Sequence, residues 1–195
     1  GCVYPFVSPD SGGSVDTDDP GPVGEYSQSC LGRERMFEYG SLKNKTNITI
    51  IRLNYAVELR YGVLTDIAIK VKNELPVDLS MGYFNAIWQS DANEMVLRSV
   101  EYAGTPAEIF NITGREIISV RTVAEEFGRL FDKKVKFTGS ESLTALLSNS
   151  QKAIKLFGAP VVPHEKIVTW IASWLKEGNR LLDKPTHFEV RNGKY

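Results

Sequence analysis

Between Tyr26 and Leu53 a helical stretch gives way to a short β-branched run, and that alternation confines the chain to folds that layer helices on strands. From Tyr26 to about Leu42 the apolar residues Tyr26, Cys30, Leu31, Met36, Phe37 and Tyr39 recur at roughly helical spacing, punctuated by Gly40-Ser41. After a polar turn, Ile48-Thr49-Ile50-Ile51-Arg52-Leu53 has the length and branching of a buried strand. Gly1-Cys2-Val3-Tyr4 reads as the end of a strand already under way. Strand, helix and strand in that order imply a parallel α/β layer.

The alternation continues downstream. Residues 63–73 predict a helix with Val63, Leu64, Ile67, Ala68 and Val71 on one side, followed by short strand-like pieces at Val77 to Leu79 and Ala86 to Gln89. A helix is expected from about Asp91 to Tyr102 and a strand at Ile109-Phe110-Asn111-Ile112. Ser119 then opens a helix striped by Val120, Val123, Ala124, Phe127 and Leu130, and Val135-Lys136-Phe137 adds a short strand. Ser150 to Phe157 closes at Gly158, and Ile167, Val168, Ile171, Ala172, Trp174 and Leu175 mark a final amphipathic helix that stops at Gly178. Residues 5–25, rich in Pro, Gly and acidic side chains, read as a long irregular loop of the kind that is functional or disordered.

At 195 residues, 42% hydrophobic and 24% charged, the chain can bury a sizeable core. A formal net charge of -1 without any Lys/Arg tract speaks against a nucleic-acid partner. No apolar run approaches the roughly 20 residues of a membrane helix. Cys2 and Cys30 form neither a CxxC pair nor a Cys/His cluster, which argues against a disulfide framework and a zinc site and favours a reduced, cytoplasmic setting. No metal is expected. His164 and His187 are set aside as too few and too poorly partnered for metal or nucleophile chemistry, with Pro163-His164-Glu165 starting the final helix; Trp170 and Trp174 read as core packing. Three Asn-x-Thr tripeptides, at Asn44, Asn47 and Asn111, match the glycosylation pattern and are equally consistent with chance.

The best clue to chemistry is Tyr26 and Cys30, which lie at positions i and i+4 and therefore share a helix face. A phenol works as a general acid/base when something lowers its pKa from about 10 toward operating pH, and a fixed positive charge does so. A thiol supplies neither a permanent cation nor a long multi-donor arm. Arg33, one turn past Cys30, is a candidate to reach back. The alternative is that Tyr26 is a buried aromatic at a helix start and Cys30 a small core residue.

Gly24-Glu25-Tyr26-Ser27-Gln28-Ser29-Cys30 resembles the Tyr-x-x-x-Lys element of extended short-chain dehydrogenases/reductases, the NAD-dependent epimerase/dehydratase family, with Cys30 where the lysine belongs. Other segments resemble that family in order and spacing. Val15-Asp16-Thr17-Asp18-Asp19-Pro20 is similar to the acidic loop leading into the catalytic tyrosine, and Arg52-Leu53-Asn54-Tyr55 to the Arg-x-x-Asn-x-Tyr-Gly-Pro segment, with Ala56-Val57 in place of Gly-Pro. Ile87-Trp88-Gln89-Ser90-Asp91 resembles Val-Tyr-Val-x-Asp, with Asp91 capping a helix. Phe110-Asn111-Ile112-Thr113-Gly114 followed by Ile118-Ser119-Val120 resembles the Tyr-Asn-Ile-Gly to Ser-Val run, and Asn149-Ser150-Gln151-Lys152-Ala153 through Pro160 the Asp-x-Ser-Lys-Ala to Leu-Gly-Trp-x-Pro run.

The resemblance implies an α/β fold: the C-terminal part of a Rossmann-like parallel sheet with a smaller α/β substrate-binding lobe, as a fragment lacking the glycine-rich first half. Residues 1–58 would be the remaining NAD-binding layer, and 59–195 mainly the substrate lobe, with some elements returning to the layer. It implies NAD or NADP in the longer protein and a small-molecule, sugar-like hydroxyl or carbonyl substrate. Tyr26 would be the acid/base, with Cys30 on the ribose side and Leu53 and Asn54 or Tyr55 near the nicotinamide. It also implies a homodimer paired through the Tyr26 helix. Two departures accompany it: the missing lysine, and Phe84 where nucleotide-sugar members carry a diphosphate-gripping Arg, for which Arg60 is a weak substitute. Their loss leaves open a noncatalytic ligand-binding or regulatory module.

Overall fold

The computed structural model describes residues 2–194. Residues 2–4 form a turn, not the expected strand end; Gly1 lies outside the described residues. No strand among the described residues lies beside that segment to complete a ladder, and Val3 and Tyr4 are instead buried by their side chains. Residues 5–24 hold a single 3-10 turn, Pro9–Ser11, but are pinned rather than loose: Val7 bridges to Ala145 and Ser14 to Ser148.

Helix α1 (Glu25–Asn44) leads into strand β1 (Thr49–Leu53), then β2 (Ala56–Val57) and α2 (Val63–Lys72). Three short strands follow, β3 (Val77–Asp78), β4 (Tyr83–Phe84) and β5 (Ile87–Trp88), and then α3 (Gln89–Ser99). The rest runs β6 (Glu108–Ile112), β7 (Ile118–Ser119), α4 (Val120–Phe131), β8 (Phe137–Thr138), α5 (Gln151–Phe157) and α6 (His164–Lys176). The expected parallel layer is present: β1 pairs with β6 from Thr49 opposite Glu108 to Leu53 opposite Ile112. β2 with β5 and β3 with β8 are also parallel, whereas β4 and β7 are antiparallel.

Periodicity explains the main core. The striped faces of α2, α4 and α6 converge, with Leu64, Ile67, Phe127, Ile171 and Phe84 all at 0% exposure. Each such side chain adds roughly 1.5–3 kcal/mol of hydrophobic stabilisation. A second cluster, containing Phe110, Ile112, Met95 and Phe157, fills the space between the β1–β6 pair and helices α3 and α5. Ser119 caps α4 by accepting from the Thr122 amide, and Gly158 ends α5 at φ 88°. Asp91 is not the cap of α3. Trp88 holds that position, and the buried Asp91 carboxylate instead accepts from the Val162 amide at 2.9 Å. Trp170 is only half-buried, edge-on to Trp88.

Helix α1 departs most from its apolar pattern. Its buried residues are Ser27, Cys30, Glu34 and Ser41, while Met36, Phe37, Tyr39 and Leu42 are exposed. Small side chains let the helix approach closely, and Glu34 is drawn in by charge. Arg52 Nε and Nη2 grip both Glu34 oxygens at 2.9–3.2 Å, with side-chain exposures of 3% and 10%. Arg52 Nη1 also donates to Tyr4 Oη at 2.6 Å, and Tyr4 Oη in turn donates to Asn111 Oδ1 at 2.9 Å. Asn111 Nδ2 then reaches the Ser14 carbonyl at 2.9 Å. This network ties helix, strand and loop into one unit.

Candidate active site

A cavity of about 380 Å³ opens where β1 ends, between the start of α1 and the last residues of the chain. That position, beyond the carboxyl end of a parallel strand, is where open α/β sheets bind ligands. Tyr26, Leu53, Asn54 and Tyr55 all line it. Cys30 does not. It is 8% exposed and packs with Val3 and Tyr4, behind the phenol.

Tyr26 is the second residue of α1 and 60% exposed. Its phenol is held above the ordinary value of 10, first by the charge an ionised Cys30 thiol would carry, then by hydrogen bonding to that thiol and by partial burial; Arg33 pulls the other way more weakly. Arg33 does reach back, but to sulfur: its Nη2 lies 3.7 Å from Cys30 Sγ. Burial likewise pushes up the thiol of Cys2, which lines the cavity next to Tyr26 and Ser27. The groups that act most strongly on the Tyr26 phenol are thus thiols rather than a cation.

Asn54 is 3% exposed and held on three sides. Its Nδ2 donates to the Leu146 carbonyl at 3.3 Å, its amide to Ile112 at 3.0 Å, and its carbonyl accepts from Thr113 Oγ1 at 2.9 Å. Tyr55 has φ 41°, a left-handed conformation that costs a non-glycine residue of order 1 kcal/mol. Its ring meets Phe84 edge-on at 6.5 Å. Phe84, at the position of the expected arginine, is a core residue, and Arg60 is half exposed and paired with Glu58 at 3.0 Å.

Sequence reasoning missed the far wall. Thr186, His187, Phe188, Val190 and Gly193 line the cavity. Set aside earlier, His187 is at the site. These residues have neither period nor motif, and only the tertiary return of the chain places them there. His164 also has partners: its Nδ1 lies 2.5 Å from Glu116 Oε2 and 3.4 Å from Glu165 Oε2, and none of the three residues lines the cavity.

The fold is α/β, with parallel strand pairs layered by helices, and it is shared with solved Rossmann-like epimerase structures over part of their length. The chain superposes on the UDP-glucuronic acid 4-epimerase of Bacillus cereus in complex with NAD with a TM-score of 0.76 at 16% identity, covering 91% of this chain and 58% of that one. For the UDP-glucose 4-epimerase of Thermus thermophilus with NAD the TM-score is 0.73 at 16% identity, over 90% of this chain and 61% of that one. For the UDP-glucose 4-epimerase of Thermotoga maritima with UDP-glucose it is 0.70 at 16% identity, over 85% and 57%. The chain therefore spans about three fifths of the length of these neighbours. No family model matches the sequence, and no curated protein does. Among the described residues no helix is long and apolar enough to cross a membrane.

Proposed function

We propose that this chain is part of an NAD- or NADP-dependent epimerase/dehydratase or oxidoreductase that acts on a sugar-like hydroxyl or carbonyl, with Tyr26 as acid/base. The observation that carries this reading is the meeting of Tyr26 with Leu53, Asn54 and Tyr55 on one cavity at the carboxyl end of β1. Residues 1–58 then belong to the cofactor layer and 59–195 mainly to the substrate lobe, with β6 returning beside β1. Two free cysteines are in keeping with a cytoplasmic setting.

The residues present suit one end of the cofactor. Leu53, Asn54 and Tyr55 would flank the nicotinamide, and Tyr26 the ribose and the substrate oxygen. Cys30, expected on the ribose side, is 8% exposed and lies outside the cavity lining, next to the phenol. No glycine-rich pyrophosphate turn opens a helix among the described residues. When bound, NAD supplies the hydride acceptor and donor. Tyr26 Oη exchanges the proton of the substrate hydroxyl, and the rigidly held Asn54 fixes where that hydroxyl lies. A phenol held above 10 stays protonated at neutral pH, so Tyr26 is the better acid than base.

That same feature favours a second reading, a noncatalytic module that keeps the fold to bind a ligand. Incubating the longer protein with NAD and a panel of free and nucleotide-linked sugars separates the two. Reduced cofactor or an epimerised product supports the enzyme; cofactor binding without turnover of any panel member supports the module. A homodimer through the exposed Met36, Phe37 and Tyr39 of α1 belongs to the same proposal, and a monomer by light scattering contradicts it.

A further inference from the structure

Residues 184–194 form neither helix nor strand, yet they are tied down side chain by side chain. The Thr186 amide and Oγ1 donate to Asp66 Oδ2 at 2.7 and 2.6 Å, and Glu189 pairs with Lys70 at 3.0 Å. Arg191 donates from Nη1 to the Thr144 carbonyl at 2.7 Å and from Nη2 to Thr144 Oγ1 at 2.8 Å, with its guanidinium stacked 4.3 Å from the centre of the Phe6 ring. Phe188 is 3% exposed and packs against Phe84, ring centres 6.3 Å apart. At the far end Gly193 meets Gly24, the residue before α1, so closely that a Cβ on Gly24 would fall 2.5 Å from Gly193 Cα. The segment is a fixed strap from α2 to the base of the Tyr26 helix.

The strap decides the chemistry of the cavity. It brings Thr186 and His187 to face the phenols of Tyr26 and Tyr61 and the amide of Asn54, and it adds the apolar Phe188 and Val190. Hydroxyl, amide and imidazole groups set among aromatic rings suit a ring that carries many hydroxyls and apolar C–H faces. Phosphate suits this wall badly. It would shed water against Phe188 and Val190 with no Lys or Arg on the lining in return: Arg52 is gripped by Glu34, Arg60 pairs with Glu58, and Arg191 points into Thr144.

Taking the cavity as the substrate site, as the functional reading does, we propose that the strap makes it a site for an uncharged polyhydroxylated ligand, a free sugar or polyol, and excludes phosphorylated sugars. The ligand class therefore differs from the nucleotide sugar bound in the Thermotoga maritima neighbour.

The test is titration of the ¹⁵N-labelled chain, followed by amide NMR, with D-glucose, D-galactose, myo-inositol, D-glucose 1-phosphate and UDP-glucose. The expected result is that a neutral probe shifts the amides of Thr186, His187 and Phe188 and binds at least about tenfold more tightly than either phosphorylated probe, the factor carried by one charge-assisted hydrogen bond. Equal or tighter binding of a phosphorylated probe overturns the proposal, and so does the absence of strap shifts with every neutral probe. His187→Arg sits at an exposed position, so the fold tolerates it while a cation enters the cavity wall. It should narrow the preference about tenfold, and an unchanged ratio counts against the strap. Binding read this way needs neither cofactor nor turnover. A full-rate Tyr26→Phe enzyme would defeat the acid/base role without moving the ratio.

Discussion

Arg52→Met should be the most damaging single substitution outside the main hydrophobic core. The guanidinium is buried and makes its charged contact with Glu34 while donating to Tyr4 and, at 3.3 Å, to the Asp16 carbonyl. Methionine keeps most of the apolar stem but strands the Glu34 carboxylate, whose side chain is only 10% exposed. Leaving one member of a buried pair costs about 3–5 kcal/mol. At roughly 2–4 °C per kcal/mol for a chain of this size, the midpoint of thermal unfolding should fall by roughly 6–20 °C. The double substitution Glu34→Leu with Arg52→Met removes both charges and should recover part of that loss, because the stranded charge is gone. Urea unfolding followed by circular dichroism measures both. A single-mutant cost under about 1 kcal/mol, or a double mutant no more stable than the single, would refute the claim that this pair clamps the Tyr26 helix to β1, the strand that leads into Asn54.

Three further outcomes follow from the geometry. Gly24→Ala adds a Cβ at φ 84° that runs into Gly193, and should cost about 1–3 kcal/mol in the same unfolding assay. Burial holds the Asp66 carboxyl above its ordinary 3.8, so the folded chain keeps a proton that the unfolded chain has released. The stability tied to that proton is fully present below 3.8 and is lost as pH rises through the higher folded value; Asp66→Asn should therefore flatten the stability profile in that window, measured as the difference from wild type. Cys30→Lys puts a cation where the thiol raises the Tyr26 phenol, so the alkaline rise of activity in the longer protein should move to lower pH and the rate near neutrality should increase; a profile that does not move contradicts the assigned cause.

The fold was legible wherever burial follows a period. The stripes of α2, α4 and α6 are apolar because they face the core, so the pattern and the packing coincide. Helix α1 was found for a weaker reason: its apolar residues sit at helical spacing, but its buried stripe is Ser27, Cys30, Glu34 and Ser41, chosen by close approach and by the charge of Arg52. Asp91 was misread as a cap because the signal for a cap and for a buried carboxylate holding a distant amide is the same residue near a helix start. Of the site, Tyr26, Leu53, Asn54 and Tyr55 were placed through a family resemblance, and the cavity lining unites them. The strap was invisible. Its anchors to Asp66, Lys70 and Thr144 reach back 120, 119 and 47 residues, and no local pattern encodes contacts of that range.

The central claim is that the Tyr26 phenol handles the substrate proton, and the rate of cofactor reduction by wild type and Tyr26→Phe in the longer protein tests it most directly. Loss of general acid/base catalysis predicts a fall of about 10²–10⁴ in kcat with the fold intact by circular dichroism. Equal rates in the two proteins would contradict it.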